Sequence, residues 1–199
     1  MAIREDPLIG RILHDTHRLV RRIGQGGMGV VYEARHARLP NQRFAVKVLH
    51  PRLLEDPTAY RRFKREAEIS SQIGHPNIIF VTDFYDTPEG QPCIVMEFLE
   101  GESLAARMRR AGRLPPHEVT FIVSQVANAL QAVHDQGVIH RDLKPANIFQ
   151  VHAPDGAVLS KVLDFGISKI QEATTLTEDQ AIMGTPRYMS PEQGDGRIK

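Results

Sequence analysis

The chain has 199 residues, enough for one large or two small domains, each with a core of its own. Hydrophobic residues make up 41% and charged residues 25%, an ordinary balance for a globular protein. A formal net charge of +1 leaves no global field to attract nucleic acid or an anionic membrane, and no apolar run nears the ~20 residues of a bilayer span.

The opening stretch MAIREDPLIGRILHD mixes charges and has no apolar core, so it does not read as a secretory signal. Residues 1–15 are expected to form a loose leader. The single cysteine, Cys93, has no partner for an internal disulfide and lies in an apolar run. It reads as a packed thiol, and a reducing, cytoplasmic setting fits.

From Arg18 the sequence LVRRIGQGGMGVVYEARH predicts a strand, a glycine turn and a second strand. Gly24, Gly26, Gly27 and Gly29 crowd the turn. A plain hairpin with a glycine-rich tip is one reading of this stretch. A dinucleotide fold wants a helix after the glycines, whereas Val30-Val31-Tyr32 favours a strand. No phosphate-loop pattern of the G-x-x-x-x-G-K-[ST] type occurs.

Arg43 to Leu49, RFAVKVL, predicts a buried strand. Strand alternation puts Phe44, Val46 and Val48 on one face and Ala45, Lys47 and Leu49 on the other. A strand lysine ordinarily points to water. On a part-apolar face it needs an anionic partner instead. The following helix offers one. Asp56 caps it, Pro57 opens it, Phe63, Ala67, Ser70 and Ile73 recur at helical spacing, and Gly74 ends it. Glu66 borders that inward stripe and is expected to bond Lys47, whereas Glu68 reads as solvated.

His75-Pro76-Asn77 is a turn, and strands are expected over 77–85 and 91–99. Glu100-Gly101 marks a composition break and a hinge between domains. A short basic helix follows over 103–110. A longer one starts at Pro115-Pro116, with Val119, Ile122, Val123, Val126, Leu130 and Val133 as its expected buried stripe.

Residues 138–149, VIHRDLKPANIF, then concentrate fixed charge. Pro145 blocks a helix, so His140, Arg141, Asp142, Lys144 and Asn147 must sit on an irregular loop between apolar flanks. A strand over 158–163 leads to Asp164-Phe165-Gly166. A polar stretch with Thr174, Thr175 and Thr177 precedes GTPRYMSPEQ at 184–193.

In this order, GQGGMGVV, AVK, a helix glutamate, HRDLKPAN, DFG and SPE resemble the protein kinase family. The likeness is nearer to the bacterial serine/threonine kinases related to eukaryotic ones. It runs from about residue 16 to the end. It implies an α+β, two-lobe fold. Residues 16–98 would form an N-lobe of antiparallel sheet plus one main helix, and 99–199 a mostly helical C-lobe.

The resemblance also implies ATP and Mg²⁺ as cofactors and a protein substrate bearing serine or threonine. Ile23, Gly24, Gly26, Gly27, Gly29, Val31, Ala45, Met96, Glu97, Leu99 and Phe149 would surround the nucleotide. Met96 would be the gatekeeper. Lys47 would hold phosphates, fixed by Glu66, while Asn147 and Asp164 would ligate magnesium. Asp142 would accept the substrate proton and Lys144 would neutralise the transferring group. Arg141 would gather a phosphate on Thr174, Thr175 or Thr177, and Thr185 would shape the substrate segment. His140 is expected to pack against Phe165 rather than to catalyse. Back-to-back dimerisation through the N-lobe is a further implication.

Only seven residues follow Glu192, whereas the family's C-lobe continues through several helices. The expectation is therefore a truncated kinase domain, unstable or weakly active alone. Two rivals compete with an active kinase: a nucleotide-binding pseudokinase and a small-molecule phosphotransferase. The first usually lacks one of Lys47, Glu66, Asp142, Asn147 and Asp164, and the second usually lacks the segment 184–192.

Overall fold

A computed structural model describes residues 6–152, 156–164 and 186–194. The chain divides into two compact units. The first comprises residues 1–74 and 79–100, the second residues 75–78 and 101–199.

The first unit is built on a six-stranded antiparallel sheet. Its strands are β1 (Ile12–Leu13), β2 (His17–Gln25), β3 (Gly29–His36), β4 (Arg43–Leu49), β5 (Val81–Asp86) and β6 (Pro92–Glu97). They lie in the order β1-β2-β3-β4-β6-β5. The β2–β3 hairpin holds the glycine turn, with register shifts near Arg21 and Gly24. Gly29 is required by packing, because a Cβ there would lie 2.1 Å from the Val48 carbonyl oxygen.

The expected alternation in β4 is what the sheet uses. Val46 and Val48 join Leu13, Leu19, Tyr32, Ala34, Cys93 and Val95 in the core on one face. Leu49 packs on the other, with Phe63 and Ala67 of helix α1 (Pro57–Gln72), Val81 and Ile94. Asp56 caps α1, its carboxylate accepting from the Thr58 amide at 2.8 Å. Cys93 is buried, and burial pushes its thiol up to about 12, so it is inert at neutral pH.

Residues 6–14, expected to be loose, are instead tied to the sheet. Leu13 is fully buried, β1 pairs with β2, and Tyr32 donates its hydroxyl proton to Asp6 at 2.8 Å. The mixed charges of this segment hid two apolar anchors, Leu8 and Leu13.

The second unit carries strands β7 (Gly101–Ser103), β8 (Ile148–His152) and β9 (Val158–Val162) in a small antiparallel sheet. Gly101 has φ +152°, and a Cβ there would meet the Gln150 carbonyl oxygen at 1.9 Å. Helices α2 (Leu104–Ala111) and α3 (Pro116–His134) complete the unit with the short α4 (Pro191–Gly194). In α3 the buried stripe runs through Ile122, Gln125, Val126, Ala129 and Val133. Val119 and Val123, expected inside, are exposed and line a groove of about 350 Å³ beside α2. The helical period turns them one row aside, and Gln125 takes an inward position. No helix among the described residues is long and apolar enough to cross a membrane.

The burial of Leu13 makes the amino-terminal segment a structural part of the first unit. Leu13→Ala is expected to lower unfolding free energy by about 2–5 kcal/mol, read from the urea midpoint.

Candidate active site

In the first unit, Lys47 and Glu66 meet. The Lys47 Nζ donates to Glu66 Oε1 at 2.8 Å, and the two residues are only 6% and 8% exposed. Lys47 Nζ also lies 5.8 Å from the centre of the Phe63 ring, a favourable seat for a cation. A charge so desolvated survives only when paired and hydrogen-bonded. The pair therefore ties β4 to α1. Register sets the neighbours of Lys47. Val31 lies opposite it on β3, and Ala45, two residues before it, lies opposite Met96 on β6. Val31, Ala45, Lys47 and Met96 thus share one sheet face.

Ile23 and Gly24 stand near the end of β2, Ile23 partly exposed. Ideal Cβ atoms on Gly26 and Gly27 would meet nothing within 4 Å, so the turn keeps open space above its backbone. Glu97 is held to the start of β5, its Oε1 accepting from the Phe80 amide at 2.8 Å. Leu99 is half-buried just beyond β6.

In the second unit the loop expected between Val138 and Phe149 is irregular, with one 3-10 turn over Pro145–Asn147. The Lys144 Nζ donates to Asp142 Oδ2 at 2.7 Å. Asn147 Nδ2 donates to the Asp142 carbonyl at 3.0 Å and to its Oδ2 at 3.3 Å. The amide oxygen of Asn147 is left out of these bonds, a hard donor of the kind magnesium takes. Phe149 lies in β8, half-buried. Leu163 donates its amide to the Asn147 carbonyl at 2.8 Å, so the end of β9 is stitched to the loop next to Asp164. Asp164 is exposed, with φ +41°.

His140 is 2% exposed. Its Nε2 faces the Leu163 carbonyl at 3.2 Å, and its Nδ1 faces the Asp142 amide at 3.3 Å. One donor and one acceptor are what a neutral imidazole has, so Nε2 carries the proton. Burial holds its pKa below the ordinary 6.5, outweighing the Leu163 carbonyl and the nearby Asp142 and Asp164. Both ring nitrogens are committed inside the fold, so His140 is structural. Phe165, its expected packing partner, lies outside the described residues, as do Thr174, Thr175, Thr177 and Thr185.

Sequence reasoning missed the network that carries β9. Asn77 Nδ2 donates to Gln125 Oε1 at 2.8 Å and to the Ser160 carbonyl at 2.9 Å. The Gln125 Oε1 also accepts the Ser160 amide at 2.9 Å, and the Asn77 carbonyl accepts the Val162 amide at 2.8 Å. The signal was a glutamine inside the apolar stripe of α3.

The family model for the protein kinase domain matches residues 17–195. The chain belongs to the protein kinase family. Among curated relatives it is 46% identical over 194 residues to the serine/threonine-protein kinase Pkn1 of Myxococcus xanthus. That match covers 97% of this chain and 27% of Pkn1. It is 41% identical over 191 residues to PknB of Mycobacterium leprae, covering 92% of this chain and 29% of PknB. The chain thus spans under a third of the length of these kinases. The crystal structure of the PknI kinase domain of Mycobacterium tuberculosis aligns with a TM-score of 0.67 at 35% identity. It covers 79% of this chain and 62% of that one, and the kinase fold is thereby established.

Two predictions follow from these protein kinase residues. Glu66→Ala is expected to cost roughly 3–5 kcal/mol, because it strands a buried cation. The double change Lys47→Met with Glu66→Leu recovers most of that in urea denaturation. For His140, the unfolded chain binds a proton near pH 6.5 and the folded chain only at lower pH. Stability therefore falls as pH drops from about 7 toward 5, and His140→Phe makes that loss shallower when midpoints are measured across the range.

Proposed function

We propose that this chain carries the catalytic centre of a serine/threonine protein kinase. The observation that carries the reading is the loop cluster of Asp142, Lys144 and Asn147 at 2.7–3.3 Å. The identity to serine/threonine kinases of bacteria supports it. Magnesium-bound ATP would supply the transferable phosphoryl group.

The donors suit that cofactor. Lys47, pinned by Glu66, would meet phosphate oxygens as a point charge, and Gly24, Gly26, Gly27 and Gly29 would offer backbone amides without side chains in the way. Asn147 and Asp164 would hold the metal through oxygen. Ile23, Val31, Ala45, Met96, Glu97, Leu99 and Phe149 would bind the base. Solved relatives include Rad53 in complex with AMP-PNP, which aligns at 29% identity with a TM-score of 0.64.

Asp142 would orient the substrate hydroxyl and take its proton on the carboxylate. Lys144, already 2.7 Å from that carboxylate, would then face both the base and the developing charge. Arg141 and Thr174, Thr175 and Thr177 would regulate the centre through autophosphorylation, with Thr185 beside the substrate.

The test is transfer of labelled phosphate from ATP to a generic protein substrate. Wild type is expected to label serine and threonine, and Asp142→Asn to lose roughly 10²-fold or more of the rate. Transfer that survives the substitution, or labelling of a small molecule alone, would overturn the reading. Peptide mapping of the same reaction should place phosphate on Thr174, Thr175 or Thr177.

A further inference from the structure

We infer that Gln193 is a positioning residue for the catalytic loop, acting through the Arg141–Asp142 peptide group. The inference rests on the reading of Asp142 as the proton acceptor. Gln193 lies in α4, 52 residues from Arg141 along the chain.

Arg141 adopts φ +59°, a left-handed conformation that a residue with a Cβ seldom takes. Such a backbone persists only when its surroundings hold it. The carbonyl of Arg141 and the amide of Asp142 belong to one planar peptide group. The amide end is held by His140, through its carbonyl at 2.8 Å and its Nδ1 at 3.3 Å. The carbonyl end is held by Gln193, whose Nε2 donates to the Arg141 oxygen at 2.8 Å. Fixing both ends of a plane fixes the direction in which the next Cα, that of Asp142, presents its side chain. Asn147 then secures the far side of Asp142 at its own carbonyl, 3.0 Å away.

The orientation of the Gln193 amide is set independently of Arg141. Its Oε1 accepts the Ser190 amide at 3.2 Å, and its own backbone amide donates to the Ser190 carbonyl at 3.0 Å. With the oxygen committed to Ser190, the nitrogen must face Arg141. Gln193 therefore works as a two-ended clamp between the SPE turn and the loop. Its side chain is half-buried, so water competes weakly for these bonds.

Two substitutions separate the functions of that amide. Gln193→Glu keeps an acceptor for Ser190 but sets an oxygen against the Arg141 carbonyl. Gln193→Lys keeps a donor for Arg141 and loses the acceptor. Gln193→Glu is expected to lower kcat roughly 10- to 100-fold, the scale of a misplaced catalytic group. The KM for ATP should stay within about twofold, because uniform binding is untouched. Gln193→Lys should retain clearly more activity. Hydrogen exchange over residues 138–149 gives an arm that needs no turnover, and Gln193→Glu should raise it there with an unchanged thermal midpoint.

Gln193→Glu with wild-type kcat and wild-type exchange in the loop would overturn the proposal. So would a fall in kcat matched by equal losses of ATP affinity and thermal midpoint, which marks a merely structural residue. Wild-type protein without phosphate transfer would count against Asp142 as base. The exchange measurement would then still decide whether Gln193 holds the loop.

Discussion

A buried lysine is the constraint from which much of the first unit follows. Lys47 sits in a strand whose other residues are nearly all apolar, and it is 6% exposed. A desolvated ammonium group cannot stand alone, so an acid must be delivered from outside the sheet. Helix α1 delivers Glu66, and the same helix supplies Phe63 and Ala67 to the core beneath it. Charge pairing and apolar burial thus select the same placement of α1. The cost of holding two ions out of water is met by the packing around them, and the lysine ends up held in one orientation. That is what the proposed contact with phosphate would ask of it.

The second unit answers a different demand. Its loop cannot run as a continuous helix, because Pro145 removes a donor and restricts Lys144 before it, and only one 3-10 turn forms, over Pro145–Asn147. Irregular backbone near a core leaves polar groups that must still be paired. The partners come from distant elements. His140 bridges to the end of β9 at Leu163, Asn147 reaches back to Asp142, and Gln193 closes on Arg141. A neutral histidine suits the first of these tasks, since its two nitrogens offer one donor and one acceptor. Those two bonds fix its tautomer, and burial lowers its pKa. The buried amides of Asn77 and Gln125 steady β9 from its other side, so the strand leading to Asp164 is held along its length.

Much of this was legible in the residue order. The alternation in β4, the cap and stripe of α1, the glycine turn and the charged loop each rest on local chemistry, and each appears at its expected place. The bond between Lys47 and Glu66 was also legible, because a cation on an apolar face demands an anion within reach. The order of the motifs carried the family. What depended on period alone was less secure. Val119 and Val123 fall beside the buried row of α3, and only packing against the small sheet decides which row faces inward.

The sequence by itself determined that Lys47 needs a buried acid and that fixed charge gathers on one irregular loop around Asp142 and Lys144; the order of its motifs determined the family. It did so because those demands are local or short in range. Tertiary structure alone decided what holds those groups still. The left-handed turn at Arg141, the tautomer of His140, the grip of Gln193 and the burial of Leu13 against Cys93 and Val95 all depend on atoms far apart in the chain. Hydrogen-bond complementarity across such separations leaves no periodic trace in the residues that provide it, so it becomes visible only when the chain is folded.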